Sequence, residues 1–148
     1  QLALLSDADH ALDLAKLHIE TLNAKHWSIL VSDPLLPFIT SDNPGFSPNL
    51  NAMFAEHWPY HHVMELNAGS MIYFVLSPRY CLHIMPFEQG TPLDVCALRM
   101  NVEYIKAPLQ LIDFINRGVF YTKHRLIISN SRQVLDLCIK PGPKAQNG

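Results

Sequence analysis

The chain is expected to fold as an α+β domain, an antiparallel or mixed β-sheet covered by two long helical segments. Two stretches repeat apolar residues at intervals of three and four, the period of a helix with one buried face. Between and after them lie short apolar runs bounded by Pro, Gly and Ser, the marks of strands joined by tight turns rather than of alternating βαβ units. With 148 residues, 49% of them hydrophobic, residues 1–148 suffice for one domain with its own core. The chain opens inside a helical pattern without an initiator Met, so we expect the C-terminal part of a longer protein.

Leu5, Ala8, Leu12, Ala15, Ile19 and Leu22 define the first helix, roughly five turns long, with Asp9, Asp13, Lys16 and Glu20 on its polar face. Trp27 to Ser32 reads as a short apolar strand closed by an Asp33-Pro34 turn, and Phe38-Ile39-Thr40 as a second strand. From Ser41 to Gly69 the pattern dissolves into a long loop punctuated by Pro44, Gly45, Pro48 and Pro59. Met71 to Leu76 and Tyr80 to Met85 predict a hairpin around Ser77-Pro78-Arg79. Val95, Leu98, Val102, Ile105, Leu109 and Ile112 predict a second helix with Asp94 as N-cap, kinked or split at Pro108 and ending near Arg117-Gly118. Phe120-Tyr121, Leu126 to Ile128 and Val134 to Ile139 are short elements, the last a strand, and the Pro141-Gly142-Pro143 tail is expected to fray.

Composition excludes several classes of function. A formal charge of -2 provides no basic field over the whole domain, which argues against nucleic acid as a partner. Lys123-His124-Arg125, beside Phe120 and Tyr121, is the most basic stretch and reads as a solvated turn. No apolar run approaches the roughly 18 residues of a membrane span, so no membrane is expected. Cys81, Cys96 and Cys138 are odd in number and far apart, as reduced thiols buried in a cytoplasmic protein would be. There is no glycine-rich phosphate loop and no Gly-x-Ser-x-Gly elbow.

The strand led by Trp27, the turn Phe38-Ile39-Thr40-Ser41-Asp42-Asn43-Pro44, a later strand running into Leu76-Ser77-Pro78, and Asn101 in a helix form a recognisable set. The chain resembles the family catalogued as domain of unknown function four-two-three-eight, bacterial and fungal proteins with a Ser-Asp-Asn-Pro motif. That motif is the specific part of the resemblance. The chain departs from the family pattern at Val75, where Pro is usual, and a His-x-Val-Pro-like motif is not found. The resemblance implies a location for a site and no particular chemistry.

At that location Asp42 offers a carboxylate as base or metal ligand, Asn43 an amide to orient a substrate, and Ser41 a hydroxyl. The same residues also make good turns, because Asp and Asn side chains accept bonds from nearby amides. Catalysis near neutral pH would require burial or a second carboxylate to raise the Asp42 pKa, and no sequence neighbour supplies one. Arg79, at the hairpin turn, is suited to hold a carboxylate or phosphate. His57 and His61 are candidate ligand-binding residues in a loop that also holds His62, Trp58 and Tyr60; Pro59 between them argues against a helical metal pair, and no metal site is assigned. No cofactor follows from these residues. We therefore expect an uncharacterised binding or regulatory module with its surface near Asp42, Asn43 and Arg79. The alternative is a phosphoester hydrolase with Asp42 as base or metal ligand and Arg79 as anion holder. A protein partner or homo-oligomer is expected if a long helix leaves an apolar face uncovered.

Overall fold

A computed structural model describes residues 2–23, 25–48, 60–61, 69–87 and 102–139. Helix α1 (Leu2–Asn23) leads directly into β1 (Lys25–Val31), and the Trp27 indole N–H donates to the Leu22 carbonyl at 2.8 Å, tying the end of the helix to the strand. The helix forms as its period predicts. Among the described side chains of its apolar stripe Leu12 and Ile19 are exposed, as is Leu17 beside it.

β5 (Ile72–Val75) and β6 (Tyr80–Pro86) pair as the antiparallel hairpin expected from the sequence. The Ser77 hydroxyl closes their turn by accepting the amides of Arg79 and Tyr80. β6 pairs antiparallel with β1 along its whole length, from Lys25 opposite Pro86 to Val31 opposite Tyr80. On the far side of β1 lies β7 (Glu103–Lys106), which is parallel to it and makes the sheet mixed. β3 (Gly45–Pro48) flanks β5, and β4 (Tyr60–His61) extends the order to β4-β3-β5-β6-β1-β7. A separate two-stranded ladder joins β2 (Thr40–Ser41) to β8 (Ile127–Ile128).

Helix α2 (Leu109–Thr122) packs over β2 and β3, and Ile112, Ile115 and Val119 meet Phe38, Ile39, Phe46 and Tyr73 in one buried cluster. A Cβ on Gly118 would fall on the ring of Phe46, so glycine is what lets helix and sheet approach here. Gly118 therefore lies inside the helix, contrary to its expected role at the helix end. A short helix, α3 (Arg132–Ile139), packs on α2 through Val134 and Cys138.

Several expectations are corrected. Residues 95–101 lie outside the described residues, but Glu103–Lys106 are a strand and not a helix, and helicity starts only at Leu109. Pro108 explains the break, since it disfavours helical backbone at Ala107 while suiting the helix start that follows. Phe120-Tyr121 belongs to α2. Val134–Ile139 is helical: the Ser131 hydroxyl accepts the Val134 amide at 3.4 Å as a cap, and Val134 and Cys138 share the buried face one turn apart. Gly45–Pro48, expected in a loop, is a strand because Phe46 is fully buried under α2. Cys81 and Cys138 are buried free thiols as expected, burial pushing them up to about 12 and about 11; Cys96 lies outside the described residues. Among the described residues no helix is long and apolar enough to cross a membrane.

Candidate functional site

Ser41, Asp42 and Asn43 leave β2 as a tight corner, and each side chain has a main-chain partner. The Ser41 hydroxyl accepts the Asn43 amide at 3.0 Å and donates to the Asn43 carbonyl at 2.8 Å. Asp42 reaches well beyond its own turn. Its carboxylate accepts the amides of His124, Arg125 and Leu126 at 3.1, 2.8 and 3.2 Å, and its own amide donates to the Leu126 carbonyl. Desolvation works to raise its pKa, but the amides of Arg125, His124 and Leu126, with its own, outweigh it and hold the carboxyl below its ordinary range. The Asn43 side chain donates to the Thr122 carbonyl at 2.9 Å, satisfying one of the carbonyls left open at the end of α2. The motif thus joins β2 to the α2–β8 connection. Lys123 in that connection folds back over the Phe120 ring, 4.1 Å from its centre, and donates to the Phe120 carbonyl.

Arg79 stands elsewhere. It is exposed on the β5–β6 turn, its guanidinium 5.7 Å from the centre of the Tyr80 ring, and it lines a groove that Asp42 does not border. The groove has a volume of about 570 Å³ and lies where β1 and β7 both end. Val31 is its floor, because the ladders place Val31 opposite Tyr80 on one side and Lys106 on the other. Exposed Pro34 and Pro78 and buried Pro37 also line it. Tyr104 closes the β7 side, meeting Tyr80 edge-on with centroids 6.1 Å apart. Carboxyl ends of parallel strands are recurrent ligand sites, since the chain must leave the sheet there and opens a crevice.

Two cations, Arg79 and Lys106, face this groove with one carboxylate, Asp33. The Lys106 ammonium is 3.9 Å from Asp33, a long and largely solvated pair worth little. Asp33 is further occupied by the Leu35 amide at 3.0 Å, which builds the expected Asp33-Pro34 turn. Asn130, before α3, also borders the groove.

His57 and Asn101 lie outside the described residues, as do Trp58 and His62, and of His61 only the backbone in β4 is described. Among the described residues no three His, Cys, Asp or Glu side chains form a metal-binding group. Sequence reasoning missed Tyr104 and Lys106 because Val102 and Ile105 also fit a helical period. The signal that could have found them is the run of β-branched and aromatic residues from Val102 to Ile105, closed by Pro108.

Comparison with curated proteins and with solved structures gives no match. Residues 4–133 match the family described as "Protein of unknown function (DUF4238)". The corner Ser41-Asp42-Asn43-Pro44 and the groove at Arg79 both lie within the matched span, and the chain belongs to this family.

Proposed function

We propose that this domain is a binding module, and that its ligand presents an anionic group to Arg79 and Lys106. One observation carries the reading: the groove at the ends of β1 and β7 gathers two exposed cations and Tyr104 around Val31 and three prolines, with only Asp33 among its lining residues to offset the charge. Carboxylate and phosphate groups share the chemistry that a guanidinium and an ammonium recognise. The rival reading, phosphoester hydrolysis with Asp42 as base or metal ligand, draws no support from a carboxylate that already accepts three amides, which weaken it as a base. Uncovered Leu12, Leu17 and Ile19 on α1 support contact with a protein partner or a second copy as a further part of the module's role.

Titration of the isotope-labelled domain with sodium acetate and, separately, with inorganic phosphate tests the anion site. Amide shifts are expected at Arg79, Tyr104 and Lys106 and not at His124 to Leu126. Arg79→Gln combined with Lys106→Gln should abolish them, while shifts that survive the double substitution would rule the groove out. The stronger of the two anions identifies the headgroup.

A further inference from the structure

β7 is the last strand of the sheet and all four of its residues are exposed, Tyr104 at 71% and Ile105 at 40%. Among the described residues β1 is its one strand neighbour. Ala107 donates its amide to the Val31 carbonyl, which fixes the alternation along the strand. Ile105 and Glu103 turn their main-chain groups toward β1, and those of Tyr104 and Lys106 point outward. The side chains of these same two residues stand on the groove. An exposed edge with an outward row of donors and acceptors is a template for another strand, and here its side chains alternate between charged Glu103 and Lys106 and the larger Tyr104 and Ile105.

We infer that the carrier of the anionic group is an extended, acidic polypeptide segment that adds to β7 as a further strand, pairing its main chain with Tyr104 and Lys106. This rests on the anion-binding reading of the groove and names its partner. Charge selects the occupant. On the groove side the neighbouring charge on β7 is Lys106, so an acidic residue placed beside it is matched where a basic one is repelled. Arg79, on the far wall, meets a second acidic group on the segment that continues past the end of β7 and crosses the groove mouth. Tyr104 gives an apolar neighbour to one side chain of the added strand, and Ile105 gives one on the opposite face.

The probe is a blocked octapeptide of alternating threonine and glutamate, compared with the same peptide N-methylated at alternate amides and with a lysine-for-glutamate version. Strand addition predicts slowed hydrogen exchange at the Tyr104 and Lys106 amides, with at least tenfold weaker binding of both the methylated and the lysine peptides. Equal affinity of the methylated peptide overturns main-chain pairing. If acetate binds and the peptide does not, the strand proposal fails and the anion site stands; if neither binds, the reading of the groove fails. Concentration-dependent dimerisation that protects the same amides without peptide would assign the edge to a second copy and overturn the proposal.

Discussion

The Ser41-Asp42-Asn43 corner and the Arg79–Lys106 groove are both rich in polar side chains, yet they differ in what those side chains touch. At the corner every oxygen and nitrogen discussed meets a main-chain group of the same molecule. At the groove Arg79 rests on a tyrosine ring and Lys106 has a loose pair with Asp33. Polar residues that find backbone partners build the fold, and those left facing a crevice are the ones a ligand can use. A dense polar motif in a sequence marks one or the other, and the partner decides which.

The largest break in this comparison would come from Asn116, buried in α2, whose carbonyl accepts the Ile39 amide and whose amide donates to the Pro37 carbonyl, both at 2.9 Å. Asn116→Ala leaves two buried main-chain groups unpaired and is expected to destabilise the domain by about 2–6 kcal/mol in urea unfolding. Because Pro37 also lines the groove, acetate affinity should fall with it. If stability holds, the segment joining the two regions is not anchored by this side chain.

His83 sharpens the comparison as a third environment. It is 8% exposed and stacks on Tyr73 at 4.7 Å; Nδ1 sits 3.4 Å from the Ser28 hydroxyl and Nε2 has no hydrogen-bond partner among the described residues. Burial, helped by His26, pulls its pKa down to about 4. The unfolded chain takes up this proton first, so stability should fall as pH drops from about 6.5 to about 4, by on the order of 3 kcal/mol, and level off below. His83→Gln should flatten that segment of a pH–stability curve measured by chemical denaturation; an unchanged slope would assign it to other groups.

Asp42→Asn is expected to lower Tm at pH 7 and leave acetate binding at the groove intact. The native carboxyl titrates below its unfolded value, so its contribution is present above about pH 3.9 and disappears as pH falls through the depressed pKa. The Tm gap between the two proteins should close in that window. Lost binding with unchanged Tm would instead make the corner a ligand site. The smallest effect on stability is expected for Arg79→Gln, which should leave Tm within about 1 °C, as for exposed surface changes, while weakening acetate or phosphate binding about tenfold.

Much of the sheet was legible. The β5–β6 hairpin, β1 and the first helix follow from alternation, Pro and Gly punctuation and period, all local signals. Two of the errors have a common cause. Val102 to Lys106 and Val134 to Ile139 fit both periods, and the choice was made by Pro108 in one case and by the Ser131 cap with burial against α2 in the other. Of the site, Arg79 was visible as a cation at a turn. Its grouping with Lys106 was not, because only the parallel pairing of β1 with β7 brings residues 79 and 106 to one groove. Asp42 and Asn43 were recognisable as a polar corner, while their partners at 122–126 lie some eighty residues along the chain.

That separation has a kinetic meaning. The three amides gripped by Asp42 are 82 to 84 residues away in sequence, so the clasp can close only after α2 has docked and its loop entropy has been overcome. Interactions that form after the folding barrier act as brakes on escape from the native state. Loosening this clasp should leave the rate of folding nearly untouched and quicken unfolding, so that the corner sets how long the molecule stays folded.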